Sequence, residues 1–243
     1  EDHNAQGACA IVQRIRTGEI LALANRQAFD LNEFASAGKS AMTNRAIGYV
    51  YEPGSTFKAV AFCAAFNEGL VTPEQVIDCE NGSWMYKGRV LRDYHPYGRL
   101  TVADGLKKSS NILTAKVSLL LGDKKFYDYL KAFGIGRKTG VDLPGEEVGI
   151  LHPFASWCGY GGTRIAIGQG VAVTPLQMLN VYCAIANDGF LMKPRVVDRV
   201  TGSNGEEIRK ASPEVIGRPI SFQTATLMRR LLMRVTEEGG TGI

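Results

Sequence analysis

One stretch dictates much of what this chain can fold into. Residues Tyr51-Glu52-Pro53-Gly54-Ser55-Thr56-Phe57-Lys58 run straight into the apolar segment 59–66, Ala-Val-Ala-Phe-Cys-Ala-Ala-Phe. A helix with no polar face has to be buried, so other elements must wrap around it. Pro53 and Gly54 set the chain's turn into that helix. Ser55 and Lys58 stand three apart at its mouth, where residues i and i+3 share a face. The free N–H groups and positive dipole end of a first turn favour an alkoxide there. A lysine amine in reach of a serine hydroxyl is equipment for acylation.

A bare Ser-x-x-Lys is cheap. Eleven serines and twelve lysines in 243 residues produce about 0.5 chance matches. A second match, Ser36-Ala37-Gly38-Lys39, lies in a Gly- and Ser-containing loop with no apolar run behind it and reads as chance. What lifts Ser55 above that level is Ser109-Ser110-Asn111, the only Ser-x-Asn in the chain. It falls between two helical segments, where a tight turn can aim short polar side chains into a cleft. Thr101-Val-Ala-Asp104 is a capping box opening a short helix to Lys108, and 112–121 is a mostly apolar helix ended by Gly122. The competing reading, that Ser109 and Asn111 only cap the second helix, stays open at this point.

The other elements give an α+β order. Ala8–Ile15 and Glu19–Ala24 flank Arg16-Thr17-Gly18 as an antiparallel hairpin. Asp123 is placed to cap a helix over 124–132, and Thr174-Pro-Leu-Gln177 combines an N-cap, Pro at N1 and Gln at N3 before a helix to Ala186. A small hairpin is expected from 196–200 and 207–210, and an amphipathic helix from about Phe222 to Glu238. A lone N-terminal hairpin needs further strands to be stable.

Composition excludes several classes. At 45% hydrophobic and 21% charged residues the chain is an ordinary globular domain. Its net charge of +4 is spread out rather than clustered, which argues against nucleic acid as a partner. No apolar run reaches the roughly 20 residues that span a bilayer, and the polar start carries no signal-peptide pattern. Cys9, Cys63, Cys79, Cys158 and Cys183 show no Cys-x-x-Cys spacing, and His3, His95 and His152 show no ligand spacing, so neither a metal nor a cofactor is expected. Cys63 and Cys183 sit on apolar segments as small hydrophobes.

Ser-x-x-Lys with a Ser-x-Asn triplet belongs to the penicillin-binding proteins and class A β-lactamases. The chain resembles the transpeptidase domain of class B penicillin-binding proteins, with wording closer to the division and sporulation members than to the elongation members. The likeness runs through Thr17-Gly-Glu-Ile-Leu-Ala22, Asn44-Arg-Ala46, Tyr51–Lys58, Arg92-Asp-Tyr-His95, Lys108–Asn111, Phe133-Gly-Ile-Gly136, Asp142–Glu146, Ile167-Gly-Gln-Gly170 and Thr174–Gln177. It implies a penicillin-binding-protein/serine β-lactamase-like fold, an antiparallel sheet flanked by helices. It implies Ser55 as nucleophile, Lys58 as base, Ser109 as proton relay toward the leaving amine, and Asn111 as the residue that holds Lys58 and the substrate amide. The substrates would be peptidoglycan stem peptides, with β-lactams as covalent inhibitors. Members of this family are anchored on the outer face of the cytoplasmic membrane and work with a glycosyltransferase and the divisome.

The third family motif is Lys-Thr-Gly, on a sheet-edge strand beside the nucleophile. The only Lys-Thr-Gly here, Lys138-Thr139-Gly140, stands among glycines and a proline where no strand pattern holds. It reads as a loop decoy. The resemblance therefore treats residues 1–243 as a partial transpeptidase domain that stops before the catalytic strand, without the C-terminal strands, pedestal domain or membrane anchor. Such a piece, lacking half an oxyanion hole, would be a poor catalyst. Two alternatives remain: a serine β-lactamase, for which Glu146 or Glu147 would have to activate water, and a non-catalytic β-lactam sensor or interaction domain. No Gly-x-Ser-x-Gly elbow occurs, which disfavours a Ser-His-Asp hydrolase.

Overall fold

The computed structural model describes residues 5, 7–26, 29–159 and 161–242; the side chains of Leu31, Lys39 and Ser40 also lie outside the described residues. Strands β1 (Ala8–Gln13) and β2 (Ile20–Arg26) pair antiparallel with Ala10 opposite Ala24, as the hairpin pattern predicts. Gly18, at φ +76°, makes the reversal. Two short helices follow, α1 (Lys39–Met42) and α2 (Arg45–Gly48). The apolar segment becomes α3 (Lys58–Asn67), with residues 58–66 all buried.

Strand β3 (Val76–Asp78) precedes the hairpin of β4 (Ser83–Tyr86) and β5 (Arg89–Arg92), and β6 (Arg99–Thr101) returns to pair antiparallel with β3. Helices α4 (Val102–Lys107), α5 (Asn111–Leu121) and α6 (Asp123–Ala132) come next. A long connection leads to α7 (Gly161–Ala166) and then α8 (Pro175–Ala186), whose capping box between Thr174 and Gln177 is complete. Strand β7 (Leu191–Met192), the small hairpin β8 (Arg199–Thr201) and β9 (Glu207–Lys210), and β10 (Val215–Gly217), which pairs with β7, lead into α9 (Phe222–Met233).

Several boundaries differ from the sequence reading; strand β8, for one, covers Arg199–Thr201 rather than 196–200. Gly54–Phe57 is a 3-10 turn, so the α-helix begins at Lys58 rather than before Ser55. Asp123 opens α6 from inside its first turn; Gly122, at φ +80°, occupies the cap position without a side-chain bond because it must also end α5. The last helix ends at Met233 and tightens into a 3-10 turn over Arg234–Thr236.

The main core forms around α3, which packs on α5, α6 and α9. Phe57 and Phe62 are fully buried there, and such a side chain contributes about 1.5–3 kcal/mol relative to exposure. A second cluster of Ala46, Ile47, Val141 and Leu176 seats the β1–β2 hairpin, through Ile11, Ile20 and Leu23, on α2 and α8. At the α4–α5 corner Gly105 lies against Leu113 so closely that an added Cβ would stand 2.3 Å from its Cδ1. That contact folds the two helices back on each other and places Ser109 beside the start of α3.

Candidate active site

The turn that carries Ser55 is pinned from several sides. The Thr56 hydroxyl donates to the Pro53 carbonyl at 2.8 Å, and the Tyr182 hydroxyl, from α8, donates to the Thr56 carbonyl at 2.8 Å. Gly54 N–H donates to Gly168 O at 3.1 Å, while Gly170 N–H donates to Glu52 Oε1 at 2.7 Å. Gly168, at φ +76°, is required by this approach, since a Cβ there would lie 2.1 Å from Gly54 O. Ser55 itself is exposed and faces a cavity of about 170 Å³ lined also by Lys58, Ser109, Leu106 and Tyr182.

Lys58 is 1% exposed, a rare location for an ammonium group. Its Nζ donates to Ser109 Oγ at 2.9 Å and to the Ser109 backbone carbonyl. Burial pushes the amine down to about 8, opposed by the attraction of the Asp93 carboxylate. Ser109 is able to offer both oxygens because its backbone sits at φ +54°, a left-handed conformation uncommon outside glycine. Of the four residues expected to converge, three therefore share one cavity: Ser55, Lys58 and Ser109. A bond from Lys58 to Ser55 is not among the Nζ contacts.

Asn111 is placed differently from the expectation. Its Nδ2 donates to the Arg92 carbonyl at 2.8 Å, and it does not line the cavity. The helix cap is supplied by Ser110, whose Oγ accepts from Leu113 N–H at 3.0 Å. The sequence assigns no role to Asp93, yet one of its oxygens accepts from Asn111 N–H at 2.5 Å and from Ile112 N–H at 3.0 Å. The other accepts from Ser110 Oγ at 2.7 Å. Only the Arg92-Asp-Tyr-His95 wording hinted at this segment.

The second Ser-x-x-Lys shows no such setting. Ser36 lies in a 3-10 turn and donates its hydroxyl to Glu33 O at 2.8 Å, and the Lys39 side chain falls outside the described residues. Lys138 is exposed on the connection between α6 and α7 and does not line the Ser55 cavity. Its neighbours are tied down by buried Glu146, which accepts from Thr139 N–H at 2.7 Å, Thr139 Oγ1 at 2.5 Å and Gly140 N–H at 3.2 Å. Among the described residues no cluster of His, Cys, Asp and Glu could hold a metal ion, and no helix is long and apolar enough to cross a membrane. Cys63 is buried, which drives its thiol strongly upward, and Cys183 is pushed up to about 11. Cys63 packs as an apolar group, whereas Cys183 is only partly buried and its thiol donates to Gln13 Oε1 at 3.4 Å.

Comparison with known proteins agrees with this geometry. Residues 8–243 match the family model of the penicillin binding protein transpeptidase domain. Penicillin-binding protein PbpB of Mycobacterium tuberculosis is 36% identical over 241 residues, 98% of this chain and 35% of that protein. Peptidoglycan D,D-transpeptidase FtsI of Escherichia coli K12 is 31% identical over 198 residues, 82% of this chain and 33% of that protein. The chain thus spans about a third of the length of these relatives. The crystal structure of penicillin binding protein 3 from Mycobacterium tuberculosis, complexed with aztreonam, superposes with a TM-score of 0.91 at 36% identity, covering 98% of this chain and 55% of that one. The chain belongs to the penicillin-binding protein transpeptidase domain family.

Proposed function

We propose that the protein is a serine D,D-transpeptidase that cross-links peptidoglycan stem peptides through an acyl-enzyme on Ser55 and is acylated there by β-lactams. The observation that carries this reading is Lys58, a buried amine whose basicity burial lowers to about 8, hydrogen-bonded to Ser109 on the cavity that Ser55 faces. An ordinary lysine, with a pKa of about 10.4, is almost wholly protonated at neutral pH. One lowered to about 8 is neutral in roughly a tenth of molecules at pH 7 and can accept a proton.

In the first half-reaction Lys58 takes the Ser55 hydroxyl proton as Oγ attacks the carbonyl of the terminal D-Ala-D-Ala amide. The new C–O bond forms, the C–N bond breaks, and Ser109 relays the proton to the departing D-alanine amine. In the second, an amine of a neighbouring stem attacks the ester. A C–N bond replaces the C–O bond, and the amine's proton returns to Ser55 Oγ. The Ser55 N–H is one oxyanion donor. The Lys-Thr-Gly at 138–140 is spent on Glu146, so we assign the strand-borne motif and the second donor to a segment outside residues 1–243. Asn111 acts by holding the Ser109 turn through Arg92 and by reaching the substrate amide when the cleft is filled.

The β-lactamase alternative is disfavoured, since Glu146 is buried in hydrogen bonds to its own loop and neither it nor Glu147 lines the Ser55 cavity. The relatives' names include a peptidoglycan D,D-transpeptidase, and we place this protein's parent on the extracytoplasmic face of the membrane with a glycosyltransferase and divisome proteins as partners. A fluorescent penicillin tests the reading in the full-length parent, which supplies the second oxyanion donor: it should label Ser55 and remain attached for many minutes, Ser55→Ala should abolish labelling, and Asn111→Ala should only slow it. Stoichiometric labelling of Ser55→Ala would remove the nucleophile, and turnover of the wild-type adduct within seconds would make the protein a β-lactamase.

A further inference from the structure

Ser109 holds its place for reasons that do not lie in Ser109. A serine at φ +54° is strained and persists only where its surroundings over-determine it. Here those surroundings are two consecutive residues from the end of the β4–β5 hairpin. Arg92 offers its carbonyl to Asn111 Nδ2, and Asp93 receives Ser110 Oγ, Asn111 N–H and Ile112 N–H. Three of these bonds end on one carboxylate at a helix N-terminus, where charge assistance and the dipole both strengthen them.

We propose that Asp93 is the positioning residue of the acylating pair, clamping the Ser109–Asn111 turn so that both Ser109 oxygens meet Lys58 Nζ and setting a negative charge against that amine. This rests on the acyl-transfer reading and gives the site a positioning residue outside its serine and lysine motifs. The two roles act in opposite directions on catalysis. The clamp raises the rate by aiming Ser109 and Lys58. The charge favours the ammonium form and so opposes the burial that lowers the amine to about 8. Asp93 thereby limits how far burial lowers the basicity of Lys58, and a less basic amine is a weaker proton acceptor.

Other groups near the pair do not supply that charge. Tyr182 lines the cavity, but burial pushes its hydroxyl up to about 12, so it is neutral at working pH. Lys108 stands over the Tyr97 ring at 5.4 Å, and the Asp104 carboxylate is paired with Arg234 at 2.9 Å.

Asp93→Asn tests the charge and Asp93→Ala tests the charge and the clamp together. The Asn side chain keeps an oxygen for the Asn111 and Ile112 N–H groups and turns its amide toward Ser110 Oγ, which can accept. The Lys58 titration is followed by the 13C shift of its ε-carbon in lysine-labelled protein. Acylation by a fluorescent penicillin is followed from pH 6 to 10. In Asp93→Asn the Lys58 titration should move to lower pH by about 0.5–1 unit, and the rate relative to wild type should be higher at pH 6 than at pH 9. In Asp93→Ala the high-pH rate should fall about 10²-fold, the cost of misplacing a catalytic group by about an ångström. A merely structural Asp93 would lower the rate equally at every pH. An unmoved Lys58 titration in Asp93→Asn overturns the proposal, even if Asp93→Ala does not fold. If the full-length parent, with the second oxyanion donor, is not acylated at all, the transpeptidase reading falls while the titration still decides Asp93.

Discussion

Burying Lys58 makes the fold less stable at neutral pH, and the size of that penalty can be worked from its titration. Unfolded, the amine titrates near 10.5; folded, burial lowers it to about 8. Below about 8 both states hold the proton and the penalty is complete, at about 3 kcal/mol for 2.5 units. Between the two values the unfolded chain binds more protons than the native one, so stability rises with pH, and above about 10.5 the penalty is gone. Replacing Lys58 with methionine, apolar and of similar length, removes this dependence and leaves the other titrating groups common to both proteins. The Lys58→Met protein should therefore gain on wild type at pH 7, and its advantage should shrink by about 2 kcal/mol by pH 9.5. For a domain of this size that is a change of roughly 4–8 °C in the difference between melting temperatures. Thermal unfolding of both proteins, measured side by side at half-unit steps of pH, gives the answer. A difference that stays flat across this range would mean that Lys58 titrates normally, and the base assigned to acylation would be lost with it.

Acylation of Ser55 should rise with pH through about 8, since only the neutral amine accepts the serine proton; stopped-flow labelling from pH 6 to 10 shows the limb, which vanishes with Lys58→Ala. Gly168→Ala places a Cβ 2.1 Å from Gly54 O at a positive φ, so the nucleophile turn must move; labelling should slow at least about tenfold, and a stability loss of about 1–3 kcal/mol should appear in denaturant titration. Glu146→Ala strips three hydrogen bonds from the 139–140 loop and should cost about 2–4 kcal/mol, whereas exposed Lys138→Ala should stay within about 0.5 kcal/mol and label like wild type.

The elements that could be read in advance are those specified locally. Residues Thr174 to Gln177 carry their capping box in four consecutive positions, and the segment 59–66 announces its burial by having no polar residue. The pairs β3–β6 and β7–β10 were not legible, because each is two or three residues long and is joined only across the chain. The β4–β5 hairpin turns at Lys87 and Gly88, both at positive φ. A Lys-Gly pair is a weak signal for such a turn beside Asn-Gly or Asp-Gly. The replacement of the expected first α-turn by a 3-10 turn at Gly54–Phe57 follows from long-range bonds to Gly168 and Tyr182, which no local propensity encodes.

The same division runs through the site. Groups proposed to carry out chemistry must be particular residue types, so Ser55, Lys58 and Ser109 show in the sequence through identity and spacing. Groups that aim them need only present an oxygen or a charge, and their partners here are largely backbone: Asp93 meets the N–H groups of Asn111 and Ile112, and Asn111 meets the Arg92 carbonyl. Backbone partners have no residue signature, and Asp93 is separated from Ser110 by 17 positions, beyond any helical or strand period. Asn111 illustrates the consequence. Its place in the motif suggested direct contact with Lys58, but its amide is spent on Arg92 and the contact passes to Ser109, whose strained backbone brings two oxygens to the amine. A motif residue is thus specified by the turn it builds as much as by the substrate it faces, and the two demands separate only when the turn's far anchor is changed while the motif is left intact.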